Sequence, residues 1–133
     1  RYAANAAAAS SALVTLERAL EARLAPVRTR PYIVLHDAFQ YWERRFGLAS
    51  VGAIMAAPER QPGVARMILL QRAVADHGVR CVFTAPQFTS ALPATLGVRV
   101  AVLDDLGADL APGPDAYAAL LNRLADALTG CLN

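Results

Sequence analysis

The feature that most constrains the fold of this chain is an alternation between short apolar runs and longer segments with helical periodicity. The apolar runs cover residues 32–36, 50–55, 79–84 and 98–103, and each has the length of a buried strand. Strands that alternate with helices are joined by right-handed crossovers, which make neighbouring strands parallel. The sequence therefore predicts an α/β fold in three layers, with a four-stranded parallel sheet flanked by helices.

The first 26 residues are predicted to form one helix. Leucines recur there at helical spacing, at Leu13, Leu16, Leu20 and Leu24. The helical pattern begins without a capping residue, which predicts that the polypeptide starts further upstream. We therefore expect the chain to be the C-terminal part of a longer protein.

The segments between the strands carry helix and loop signals. Asp37 is predicted to cap a helix that ends at Gly47, because aspartate favours the position before a helix and glycine the position after it. Residues 58–63 are predicted to form a loop. Pro93 is predicted to shorten or kink the helix after the third strand, since proline lacks the N–H donor. A final helix is predicted over residues 115–130.

Composition and charge exclude several classes of protein. Hydrophobic residues make up 56% of the chain, which is enough for a buried core. The net charge of +2 is too small to indicate nucleic-acid binding. No apolar run approaches the ~20 residues of a membrane span, so the chain is not predicted to cross a membrane. The sequence has neither a Gly-rich phosphate loop after a strand nor a Gly-x-Ser-x-Gly motif, and it does not predict an enzyme.

His36 and Asp104 are the candidate metal ligands. His36 ends the first predicted strand, and Asp104 follows the fourth. The loops after the other two strands, which contain Met55, Gln87 and Phe88, open at the same edge of a parallel sheet, where α/β proteins bind ligands. Imidazole and carboxylate are both good ligands for zinc and similar divalent metals. The sequence therefore predicts a metal site to which His36 and Asp104 contribute.

Other interpretations of these residues stay open at this point. A histidine at a strand end is commonly a hydrogen-bonded structural group, and an aspartate after a strand commonly forms a turn. Asp105 is the alternative to Asp104 as the functional carboxylate, and Asp37 need only cap a helix. Two ligands are too few for a zinc site, so the others must come from outside this chain. His77 is predicted at the opposite edge, at the C-terminal end of a helix, and is rejected as a ligand.

The two cysteines, Cys81 and Cys131, are predicted to lie at the edge of the sheet opposite His36. Cys81 lies near the start of the third strand, and Cys131 follows a helix that runs back to the level at which the strands begin. This arrangement favours a disulfide, which would close a loop of about 50 residues and stabilise the fold by roughly 4 kcal/mol. Two buried reduced thiols are the alternative. A disulfide would place the protein outside the cytoplasm.

The segment from His36 to Leu48 resembles a motif of the periplasmic binding protein of high-affinity zinc-uptake ABC transporters. Its sequence is His-Asp-Ala-Phe-Gln-Tyr-Trp-Glu-Arg-Arg-Phe-Gly-Leu. Further matches to this family follow in order along nearly the whole chain. They are Pro58-Glu59, Gln61-Pro62-Gly63, Cys81-Val82-Phe83, Pro86-Gln87-Phe88, Leu103-Asp104, Leu106-Gly107 and Cys131. The resemblance implies a two-lobed protein, with residues 1–26 as the end of the long helix that joins the lobes and residues 27–133 as the C-terminal α/β lobe.

By this resemblance, His36 matches the family's zinc-ligating histidine on the C-terminal lobe, where manganese-binding relatives usually have glutamate. Asp104 matches a carboxylate that many members of the wider family use as a fourth ligand, and Cys81 and Cys131 match the family's disulfide. Two further histidines are expected from the N-terminal lobe. One departure is Ala85, which stands where the family often has glutamate and removes a polar group near the site.

The function that the resemblance implies is capture of zinc between two lobes in the periplasm and its delivery to the membrane permease of an ABC transporter, without turnover chemistry. Binding of manganese or another divalent metal is the first alternative. A small α/β metallohydrolase that uses His36 and Asp104 is the second, and a purely structural or partner-binding lobe is the third.

Overall fold

The structure of the protein is a computed structural model that describes residues 1–55 and 60–133. The helices and strands of the described residues are α1 (Tyr2–Leu24), β1 (Tyr32–His36), α2 (Gln40–Phe46), β2 (Ser50–Met55), α3 (Val64–His77), β3 (Cys81–Thr84), β4 (Arg99–Val102) and α4 (Ala116–Leu132). Two short 3-10 helices, Ala25–Val27 and Pro93–Leu96, follow α1 and precede β4.

The four strands form one sheet in the order β2-β1-β3-β4, and every neighbouring pair is parallel. The register places Tyr32 of β1 beside Ser50 of β2 and Cys81 of β3. All four strands therefore end at one edge, which we call the carboxyl edge, and begin at the other, the amino edge. The parallel α/β fold predicted from the sequence is confirmed.

Alternate side chains of β1 face two separate hydrophobic cores. Tyr32 and Val34 pack into one core together with residues of α1 and α4. Ile33 and Leu35 pack into the other together with residues of α3. A strand that is apolar on both faces needs a helical layer on each side, because successive side chains point in opposite directions. The fold therefore has the three predicted layers.

The start of α2 differs from the prediction. The helix begins at Gln40, with Phe39 in the capping position. Asp37 is exposed and lies in a turn after β1, in which the Ala38 N–H donates a 3.0 Å hydrogen bond to the carbonyl of His36. The prediction that Asp37 caps α2 is therefore wrong, because the chain turns at the carboxyl edge before the helix begins.

The segment after β3 also differs from the prediction. The only helix there is the 3-10 helix Pro93–Leu96, within the described part of the chain. Proline is tolerated in the first turn of a helix but not in its interior, so the helix begins at Pro93 instead of continuing through it. Of the predicted loop over residues 58–63, Pro58 and Glu59 lie outside the described residues, and residues 60–63 have no regular secondary structure.

Cys81 and Cys131 form a disulfide, with their Cα atoms 6.1 Å apart. Cys81 begins β3 and Cys131 lies in the last turn of α4, so the bond fastens this helix to the amino edge of the sheet. Both cysteines are buried in the core between α1, α4 and the sheet. The predicted disulfide is confirmed, and the alternative of two reduced thiols is wrong.

The first half of α1 is exposed over residues 1–15, whereas Leu20 and Leu24 are buried in the core. Arg23 fastens this buried half to α4 through a 2.7 Å hydrogen bond to the side-chain oxygen of Asn122. The division of the chain near residue 26 stays a prediction. Among the described residues, no helix combines the length and apolar character that a membrane crossing requires.

Candidate metal-binding site

His36 is the last residue of β1 and lies at the carboxyl edge, as the sequence predicts. Its side chain is 11% exposed. The imidazole packs against the ring of Phe88, with 4.9 Å between centroids, and lies 6.2 Å from that of Phe39. Close packing on neighbouring rings restricts the rotamers of a side chain. This packing therefore restricts the orientation of the imidazole at the edge of the sheet.

Asp105 is the carboxylate that the structure brings to His36. Its Oδ2 atom lies 3.8 Å from Nε2 of the imidazole. Its other oxygen, Oδ1, accepts a 2.8 Å hydrogen bond from the side-chain amide of Gln87. The Asp105 side chain is 26% exposed, so the pair is open to solvent on the side of the carboxylate.

Asp104, the carboxylate predicted from the sequence, accepts a hydrogen bond within its own turn. Its Oδ1 atom accepts a 3.0 Å hydrogen bond from the N–H of Leu106, which closes a tight turn after β4. Asp104 also lines a separate depression together with Asp109 and Arg123. The carboxylate in contact with His36 is therefore that of Asp105, and the contribution of Asp104 to a metal site stays a prediction.

The distance between the His36 and Asp105 donor atoms suits a shared metal ion. Zinc binds histidine nitrogen at about 2.0–2.1 Å and carboxylate oxygen at about 2.0–2.2 Å, so two tetrahedral donors lie roughly 3.4 Å apart. The observed separation of 3.8 Å exceeds this by a few tenths of an ångström. A small side-chain rotation is enough to bring both donors to one ion.

The pair does not make a complete site. Within residues 1–55 and 60–133, no group of three or more histidine, cysteine, aspartate or glutamate side chains is placed to hold a metal ion. A zinc site in proteins has at least three protein ligands. His77 lies at the C-terminal end of α3, just before the strand β3 begins at the amino edge, as predicted.

An apolar groove lies beside the candidate ligands, between α1, α2 and α4. It has a volume of about 510 Å³, and Asp105 forms part of its wall. Its apolar lining includes Leu13, Leu16, Leu20, Phe39, Trp42 and Leu121. An ion pair between Glu17 and Arg45 joins α1 to α2 along this groove, and its hydrogen bond lowers the pKa of the Glu17 carboxyl.

The sequence predicts Gln87 at the carboxyl edge, because Gln87 comes just after a strand, but it does not predict the hydrogen bond between Gln87 and Asp105. That hydrogen bond depends on the strand order, which puts β3 between β1 and β4 and which the sequence does not give. That order brings the turn after β3 next to both His36 and Asp105.

Two solved structures define the class of protein to which this fold belongs. A crystal structure of ZnuA superposes on the chain with a TM-score of 0.80 at 25% identity, over 99% of this chain and 48% of that one. A Zn(II)-bound mutant variant of AdcAII from Streptococcus pneumoniae superposes with a TM-score of 0.80 at 26% identity, over 99% of this chain and 50% of that one. The chain therefore has the fold of about half of a ZnuA-like solute-binding protein.

The family model described as zinc-uptake complex component A, periplasmic, matches residues 1–131, and the chain belongs to this family, ZnuA. The high-affinity zinc uptake system protein ZnuA of Brucella suis is 42% identical over 137 residues, which cover 100% of this chain and 41% of the relative. The protein of the same name from Yersinia pestis is 34% identical over 120 residues, which cover 87% of this chain and 38% of the relative. The chain thus spans less than half the length of these relatives.

Proposed function

We propose that this chain is the C-terminal lobe of a periplasmic solute-binding protein that captures Zn²⁺ and delivers it to the permease of an ABC transporter. The observation that carries the proposal is the pairing of His36 with Asp105 at the carboxyl edge of a ZnuA-family lobe. The related proteins of Brucella suis and Yersinia pestis are both named for high-affinity zinc uptake.

The ligand chemistry favours zinc over manganese. Imidazole nitrogen suits zinc, whereas manganese prefers sites made of carboxylate, carbonyl and water oxygens. His36 supplies an imidazole nitrogen, and Asp105 supplies a single carboxylate. Competition between Zn²⁺ and Mn²⁺ at controlled free concentrations distinguishes zinc from the alternative, and tighter binding of Mn²⁺ would favour a manganese protein.

The remaining ligands belong to the part of the site that this chain does not supply. We propose that two histidines of an N-terminal lobe complete a four-coordinate site, and that α1 is the end of the helix joining the lobes. The exposed first half of α1 and the apolar groove beside Asp105 support this arrangement. A groove of this kind offers a surface against which the other lobe closes around the ion.

The disulfide supports a location in the periplasm. Disulfides persist in oxidising compartments and are rare in the cytoplasm. The bond between Cys81 and Cys131 is buried and lies at the amino edge, away from His36. Its role is therefore stability, and its sulfurs are not offered to the metal.

The proposed role is transport without turnover chemistry. The family is that of a solute-binding component, and such proteins bind and release their cargo unchanged. A metallohydrolase built on His36 would need a third protein ligand and a general base beside the metal. Hydrolysis of ester or phosphoester substrates by the zinc-loaded protein would contradict the proposal.

A zinc titration of two histidine variants tests the proposal. The complete gene product that contains this chain is compared with its His36→Ala and His77→Ala variants. Removing a residue that hydrogen-bonds a metal ligand typically weakens metal binding about 10–100-fold. Since His36→Ala removes a ligand itself, it should weaken zinc binding by at least this much. His77→Ala changes the same residue type at the opposite edge and should have no effect. Equal affinities of the wild type and His36→Ala would remove His36 from the site.

A further inference from the structure

We propose that Gln87 is a positioning residue of the metal site, a role that rests on the proposed function. Its side-chain amide donates a 2.8 Å hydrogen bond to Oδ1 of Asp105. The other oxygen of the same carboxylate, Oδ2, lies 3.8 Å from Nε2 of His36. The hydrogen bond therefore engages one oxygen of Asp105 and holds the second toward the imidazole.

The sheet order explains why the residue after β3 has this position. β3 lies between β1, which ends in His36, and β4, which leads to Asp105. The turn after β3 therefore lies next to both candidate ligands. The Phe88 N–H closes this turn with a 3.1 Å hydrogen bond to the carbonyl of Ala85, which is itself buried. The buried Ala85 thus anchors the turn after β3 to the interior of the protein.

The same turn also holds the other candidate ligand. Phe88 follows Gln87 directly and packs its ring on the imidazole of His36, with 4.9 Å between centroids. Two adjacent side chains of one turn therefore orient both donor groups, one through a hydrogen bond and one through ring packing. Donor groups that are already oriented lose less conformational freedom when an ion binds, which strengthens binding.

An amide is the suitable donor for this role. An uncharged N–H group fixes the orientation of the carboxylate without cancelling its negative charge, so Asp105 keeps its attraction for a divalent cation. A lysine or arginine at position 87 would form an ion pair with Asp105 and compete with the cation. The effect of Gln87 on metal binding therefore passes through Asp105.

A double-mutant cycle in the complete gene product that contains this chain tests the proposal. The zinc Kd is measured by competition with a chelator for the wild type, Gln87→Ala, Asp105→Ala and the double variant. Gln87→Ala should raise the zinc Kd by about 10–100-fold, and it should add nothing when Asp105 is already alanine, which has no acceptor for the amide. Gln71→Ala changes an exposed glutamine of α3 and should leave the zinc Kd unchanged.

Two further measurements separate positioning from a general loss of structure. The thermal unfolding temperature of the metal-free Gln87→Ala variant should equal that of the wild type, because Gln87 is exposed. The visible absorption of the Co²⁺-loaded protein reports the arrangement of the ligands, and Gln87→Ala should change it.

The proposal is overturned if Gln87→Ala binds zinc as tightly as the wild type, or if it weakens binding equally with and without the Asp105 carboxylate. The His36→Ala variant separates this result from failure of the proposed function. If His36→Ala weakens zinc binding and Gln87→Ala does not, only the role of Gln87 is refuted. If His36→Ala binds zinc as tightly as the wild type, the site itself is refuted, together with the role of Gln87.

Discussion

Removal of the disulfide between Cys81 and Cys131 is expected to destabilise the lobe by about 4 kcal/mol. The bond closes a loop of 50 residues. In the chain-entropy model, closing a loop of this size lowers the entropy of the unfolded chain by about 14 cal/mol/K, which is about 4 kcal/mol at 25 °C. Alanine is the replacement for both cysteines, because a serine hydroxyl at these buried positions would need a hydrogen-bond partner.

Urea unfolding of the 133-residue chain measures this effect. The wild type, the Cys81→Ala/Cys131→Ala variant and the wild type with a reducing agent are compared by circular dichroism. The variant should have a lower free energy of unfolding and a larger m value, because an unlinked unfolded chain exposes more surface. The reduced wild type should behave like the variant. A loss below about 1 kcal/mol would refute the entropic account of this bond.

The same variant tests whether the two edges of the sheet have separate roles. Cys81 lies beside Tyr32 in the register of β1 and β3, and His36 is at the other end of β1. At about 3.3 Å per residue, the strand puts roughly 13 Å between the disulfide and the imidazole. Sites this far apart act independently, so the zinc Kd of the variant should stay within about twofold of the wild type. A tenfold change would contradict the assignment of the disulfide to stability alone.

Two further predictions concern the pH dependence of stability and the choice between the aspartates. Burial and the neighbouring Glu43 raise the pKa of Tyr32 far above its usual value near 10. Above about pH 10 the folded state therefore keeps a phenolic proton that the unfolded chain releases, so the free energy of unfolding should fall as the pH rises. Tyr32→Phe should remove this part of the pH dependence, and by breaking the 2.9 Å hydrogen bond to Glu43 it should lower the free energy of unfolding in urea at neutral pH by about 1.5–3 kcal/mol. Tyr41→Phe, at an exposed site, should have neither effect. An equal decline of stability with pH in the wild type and both variants would contradict this prediction. Asp105→Asn should weaken zinc binding by about tenfold or more in a competition titration, and Asp104→Asn should weaken it less. If Asp104→Asn weakens zinc binding more than Asp105→Asn does, the ligand role belongs to Asp104.

The fold could be predicted because its strongest constraint is local. The run from Tyr32 to His36 is apolar at every position up to its last residue, which predicts a strand covered on both faces. The two faces of this strand do pack into separate cores. The start of α2 could not be predicted in the same way, because Asp37 has the chemistry of a cap whether it precedes a helix or lies in a turn.

The candidate site could be predicted only to the edge of the sheet. His36 ends a strand, so the strand direction alone places it at the carboxyl edge. The choice between Asp104 and Asp105 depends on the backbone after β4, where the Leu106 N–H binds Asp104 and the amide of Gln87 binds Asp105. The hydrogen bond from Gln87 to Asp105 joins two segments that the sequence does not show to be neighbours. A pattern of residue types therefore predicts a histidine and a carboxylate at this edge but not which carboxylate contacts the imidazole.

The central claim is that the imidazole of His36 binds the transported ion. Anomalous diffraction at the zinc edge from crystals of the zinc-loaded complete gene product tests it most directly. We expect one zinc peak at about 2.0–2.1 Å from Nε2 of His36, with a carboxylate oxygen of Asp105 among its other ligands. A fully occupied zinc ion bound elsewhere, with the His36 imidazole still packed on Phe88 and free of metal, would contradict the account.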